Sequence, residues 1–125
     1  MLQSLHDLDM AEKNLTISGY DVAAFLSHQA VEKLLKALLA ARGEKIPKIH
    51  FLDVLGRKLG LNLSVMTEIN KLSGDYIISR YPEAGEMMPY EQYTYQLAQE
   101  KVAVAQQVFS LLEPEYSSIV EGGES

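Results

Sequence analysis

The stretch SHQAVEKLLKALLAARG, residues 27–43, gathers five side chains able to do chemistry: His28, Gln29, Glu32, Lys33 and Lys36. His28 and Glu32 are four residues apart, and so are Glu32 and Lys36. On a helix such spacings put them on one flank, with Gln29 and Lys33 beside them. Two readings follow. In the first, the flank is a solvated stripe and Glu32–Lys36 is an ordinary intrahelical pair worth a few tenths of a kcal/mol. In the second, the flank lines a groove, between subunits or facing a ligand, where Lys33 and Lys36 meet a phosphate or an acidic partner group.

A second group lies in IISRYPEAGEMMPY, where Arg80 is followed by Tyr81 and Pro82. Pro82 disfavours helical geometry at Tyr81, and Arg80 then stands at a helix C-terminus, a favourable place for a cation. Alternatively the irregular segment aims both side chains at a ligand, since structureless loops of this length are often functional. His28 and Glu32 could offer two metal ligands from one face, but a site needs three or four, and no Glu-x-x-His pair is present. No phosphate loop, G-x-S-x-G or H-E-x-x-H motif occurs. Without cysteine, thiolate catalysis, thiolate metal sites and disulfides are all excluded. Neither a metal nor a cofactor is expected.

These residues need helices to position them, because apolar residues recur at three and four throughout and nowhere alternate convincingly. The pattern predicts five helices: Gln3–Ile17, Asp21–Arg42, His50–Lys58, Ser64–Ser79 and Tyr90–Leu112. Leu5, Leu8, Ala11 and Leu15 form the inner stripe of the first, with Ser18 or Asp21 capping the second. The second, about 33 Å long at 1.5 Å per residue, is apolar around much of its circumference and should lie at the centre. Leu34, Leu35, Leu38 and Leu39 supply its bulk, while Ala30, Ala37, Ala40 and Ala41 admit a close neighbour. Gly43 suits its C-terminal cap, and Pro47 keeps GEKIPKI out of helix. Val65, Ile69, Leu72 and Tyr76 line the fourth helix, and Tyr93, Leu97, Val104, Val108 and Leu111 the fifth. Pro114 should stop the fifth, leaving 114–125 as a frayed tail beside a single domain over 1–113. Seven tyrosines and no tryptophan suit a half-buried rim.

Length, composition and charge agree with one domain that buries its own core: 125 residues, 47% hydrophobic and 22% charged. A net charge of −6 weakens the case for broad nucleic-acid binding, DNA included, because phosphate neutralisation drives it. The clusters Arg42, Lys45, Lys48 and Arg57, Lys58 are short and read as a solvated rim. The first residues lack the basic start and apolar run of a signal peptide, and no run is long enough to span a membrane. A cytoplasmic protein is expected.

The ordered set Tyr20–Asp21, Gln29–Ala30, Glu32–Lys33, Lys36–Ala37–Leu38, the IHFLDVL segment with His50, and Arg80–Tyr81–Pro82 resembles the HEPN domain family. The resemblance runs from about Leu2 to Leu112. It implies an all-α, antiparallel up-and-down bundle of four to five helices, commonly a homodimer, and often a minimal nucleotidyltransferase partner in a toxin–antitoxin pair. Many members are metal-independent ribonucleases whose motif is an arginine followed four to six residues later by a histidine. Here that motif is absent. Arg57 and Arg80 precede no histidine, and Arg42 is too far from His50, across Pro47. The expectation is therefore a non-catalytic module binding nucleotide, RNA or a nucleotidyltransferase, through His28, Gln29, Glu32, Lys33, Lys36, His50, Arg80 and Tyr81. A ribonuclease with a relocated site and a purely structural helical subunit are the alternatives.

Overall fold

The computed structural model describes residues 1–79 and 95–121, and all its regular structure is helical: α1 (Leu2–Thr16), α2 (Tyr20–Ala41), α3 (Leu52–Leu59), α4 (Leu63–Ser79) and α5 (Tyr95–Glu121). The all-α bundle is as expected. Helices α1 and α2 form one antiparallel hairpin and α4 and α5 a second. Gln106 Nε2 donates to Glu12 Oε2 at 2.7 Å, tying α5 to α1. Lys101 Nζ donates to the Lys71 carbonyl at 3.0 Å, tying α5 to α4. Tyr20 and Tyr95 meet edge to face, centroids 5.8 Å apart, so α2 and α5 start at the same end of the bundle.

The central position of α2 follows from its leucines. Leu34, Leu35, Leu38 and Leu39 are buried and join one core with Leu52, Leu55, Ile69, Leu72, Val108 and Leu112. Through them α2 touches all four other helices. Ala30 is fully buried, whereas Ala40 and Ala41, expected to admit a neighbour, are exposed where the helix runs out past the core. A smaller cluster of Ala11, Ala23, Ala98 and Val102 lets α1, α2 and α5 approach closely near the other end.

The ends of the helices differ from expectation in physically instructive ways. No side chain caps α2: Gly19 is its N-cap, Ser18 lies at φ 63°, and Asp21 sits in the first turn, where its charge still favours the helix dipole. At its C-terminus Gly43 takes φ 75°, its N–H reaches the Ala40 carbonyl (2.9 Å) and that of Glu44 reaches Leu39 (3.1 Å), a Schellman closure that only glycine adopts without strain. In α5, Leu97 and Val104 are half-buried, Val108 is buried, and Leu111 faces outward while Leu112 enters the core.

Pro114 does not stop α5. The helix continues to Glu121. Proline forfeits one backbone hydrogen bond there, and Tyr116 packs edge to face on Phe109 at 5.9 Å, giving the next turn a hold on the core. The expected tail is thus helical over most of its length. Tyr90 and Tyr93, placed in this helix by the sequence, lie outside the described residues. No helix among those described is long and apolar enough to cross a membrane.

Candidate functional site

His50 was expected inside the third helix, but that helix begins two residues later, at Leu52. Pro47 holds residues 44–51 out of helix, and Phe51 has an extended backbone (φ −87°, ψ 111°). Freed from helical geometry, His50 turns back onto α2, and its Nδ1 lies 2.7 Å from Glu32 Oε2. Lys36 Nζ, one turn along α2, donates to the same oxygen at 3.0 Å. A carboxylate only accepts, so Nδ1 of His50 must carry the proton, and the neutral ring then presents Nε2 as an acceptor.

The solvated-stripe reading fails at Glu32. It is 4% exposed, deep in the α2 flank, and its pairing with Lys36 is half of a buried hub rather than a surface pair. His28 is buried beside it, with Nδ1 3.9 Å from Glu32 Oε1, too long for a hydrogen bond. Burial pushes the His28 imidazole below its ordinary pKa. The Glu32 charge opposes that shift, and His50 adds to it. The neutral form of His28 is thereby favoured. Glu32 Oε1 is buried and accepts no hydrogen bond among the described residues. By contrast the His50 side chain is 67% exposed. The hub thus has a buried acid, a buried neutral imidazole, and an outer imidazole facing solvent.

Of the eight residues singled out by sequence, four come together: His28, Glu32, Lys36 and His50. Lys33 points the other way and pairs with Asp7 of α1, Nζ to Oδ2 2.7 Å. Gln29 is half-buried on the same helix and takes no part in the hub. Arg80 and Tyr81 lie outside the described residues. Asp7 was missed, though its position carried a signal. It is an acid on the inner stripe of α1, between buried Ser4 and Ala11, where an unpaired carboxylate would be costly. Gln3 Nε2, one turn before, satisfies its Oδ1 at 2.9 Å.

No three of the described histidines and carboxylates are arranged to hold a metal ion. What the hub offers is hydrogen bonding. Lys36 uses one of three ammonium donors on Glu32, leaving two for a phosphate. An imidazole anchored through Nδ1 to a carboxylate can accept a proton at Nε2 from a hydroxyl.

A helical bundle of two hairpins, one of which contributes the long apolar helix at its centre, with a short helix and an irregular linker between them, defines the class. The HEPN domain model matches residues 1–115, and the chain belongs to that family. Among solved structures it is similar to the crystal structure of ST0689, an archaeal HEPN homologue, at 29% identity over 90% of each chain with a TM-score of 0.73. No curated protein matches it. The family is a nucleotide-binding or ribonuclease-type one.

Proposed function

We propose that this chain is a non-catalytic HEPN module that binds a nucleotide at the outer edge of the Glu32 hub. It acts as a homodimer beside a minimal nucleotidyltransferase, in a toxin–antitoxin-like pair. One observation carries the ligand reading: a single buried carboxylate oxygen orients both an exposed imidazole and a lysine. His50 Nε2 would accept from a ribose hydroxyl, and Lys36 would spend its remaining donors on phosphate, while Lys33 stays with Asp7 outside the site. Arg80 and Tyr81 join the site on the family resemblance alone, gripping phosphate and stacking on the base. The partner, the pairing and a cytoplasmic location rest on that same resemblance.

A second reading is favoured by the same contact. A histidine held by a carboxylate is the arrangement of a general base, and a ribose 2′-hydroxyl at Nε2 would make the module a metal-independent ribonuclease with its site moved from the family position. Two assays separate them. Calorimetric titration with ATP should show saturable binding that Glu32→Gln and His50→Ala each weaken about tenfold, equivalent to about 1.4 kcal/mol. Incubation of labelled RNA with the protein in EDTA should leave it intact. Cleavage that His50→Ala abolishes would replace the binding reading with the catalytic one.

A further inference from the structure

The lysines of this protein fall into two groups. Among the described residues, Lys13, Lys33, Lys36 and Lys71 each hold a carboxylate, and Lys101 holds a carbonyl. Lys45, Lys48 and Lys58 hold no such group. All three are exposed, and all lie between α2 and the end of α3. In a chain with 17 carboxylates and 11 basic side chains, unpaired lysines confined to one segment are unexpected.

The fold brings the two ends of this segment, where Lys45 and Lys58 lie, to one clasp. Arg42 Nη1 donates to the Leu59 carbonyl at 2.8 Å, closing the segment on itself from the C-terminus of α2 to the C-terminus of α3. Lys45 is three residues from one side of that clasp and Lys58 is next to the other. Residues 42–60 carry five cations (Arg42, Lys45, Lys48, Arg57, Lys58) against two carboxylates (Glu44, Asp53), a net +3. Since the whole chain is at −6, the remainder is at −9. The same segment exposes two large apolar side chains, Ile46 at 43% and Phe51 at 49%.

We infer that this clasped segment is a docking surface for an acidic, apolar-bearing segment of a partner protein. Aliphatic and aromatic anchors interspersed with cations along one exposed segment suit a peptide that alternates carboxylates with apolar side chains. A long polyanion such as RNA would be attracted by +3 but repelled by the −9 of the surrounding body, whereas a short peptide stays within a Debye length of the lysines. The inference rests on the reading of this chain as a partner-binding module and names the partner's chemistry. It rests on Lys45, Lys48, Lys58, Ile46 and Phe51, none of them a member of the Glu32 hub. Although His50 of the hub lies in the same segment, the peptide and ATP titrations read the two sites separately.

The test is fluorescence anisotropy with a labelled synthetic peptide alternating Glu and Asp with Leu and Phe, on the full chain. Two further probes carry the same charge: a peptide with Ser replacing Leu and Phe, and an oligouridine RNA. The triple variant Lys45→Glu, Lys48→Glu, Lys58→Glu should bind the apolar acidic peptide at least about tenfold more weakly than wild type, with binding that falls as salt rises. Ile46→Ser with Phe51→Ser, and the Ser-containing peptide, should each lose about fivefold. Lys36→Met, which removes the hub's phosphate donor and leaves His50 seated on Glu32, should leave peptide binding unchanged. Equal binding by the triple variant, no saturable binding of the peptide, or oligouridine binding as tight as the peptide would each overturn the inference. Dissociation of a homodimer by the triple variant would do so too, since a second copy would then be the occupant.

Discussion

Replacing Glu32 with glutamine keeps the size of the side chain and removes its charge, and the structure gives the consequence a magnitude. Glu32 Oε2 accepts from Lys36 at 3.0 Å and His50 at 2.7 Å. Stripping one partner from a fully buried ion pair costs about 3–5 kcal/mol because a charge is left buried and alone. Here the orphaned groups can reach water, as the side chains of Lys36 and His50 are 21% and 67% exposed. The loss should therefore approach that of one charge-assisted hydrogen bond, about 2 kcal/mol. At ~2.1 cal/mol/K per residue, unfolding 125 residues has an entropy of about 260 cal/mol/K, so the melting temperature should fall by about 8 °C. His50→Ala, losing only the exposed arm, should cost under about 1 kcal/mol. Scanning calorimetry on both variants measures these values. A Glu32→Gln change within about 0.5 kcal/mol of wild type would mean that the carboxylate is solvated and the hub does not exist.

Other expectations follow from the same contacts. Leu34→Ala opens a fully buried site and should cost about 2–5 kcal/mol by urea unfolding. His28 is held uncharged in the folded state but takes up a proton when unfolded, so the unfolded chain binds more protons as pH drops through about 6.5. The stability tied to His28 is thus present above that pH and lost below it. Melts between about pH 8 and pH 5 should show a shallower decline for His28→Gln than for wild type. Sedimentation should find a homodimer at micromolar concentration. A monomer there would remove the dimer from the proposal.

The helices were legible where burial and periodicity say the same thing. The leucines of α2 recur at three and four, and Pro47 together with Gly43 marks its end, so both the helix and the linker could be read from residue types. The end of α5 could not, because Pro114 is a local stop signal and the hold that overrides it, Tyr116 on Phe109, is tertiary. The candidate site was half legible for the same reason. Its α2 half follows from helical spacing, but whether that flank is wet or dry depends on what covers it. His50 is eighteen positions from Glu32, and no spacing rule connects an extended linker to a helix flank. Asp7 was legible as an acid on an inner stripe, but its partner Lys33, on another helix, was not.

The proposal turns on the outward edge of His50, and nitrogen-detected NMR of its imidazole during a titration with ATP reads that edge directly. The free protein should show the proton on Nδ1, held by Glu32, and saturating ATP should shift the Nε2 resonance of His50 while that of His6, exposed on α1, stays put. In Glu32→Gln both the tautomer preference and the response to ATP should weaken. A His50 resonance indifferent to saturating ATP, or one that responds equally in wild type and Glu32→Gln, would contradict the account.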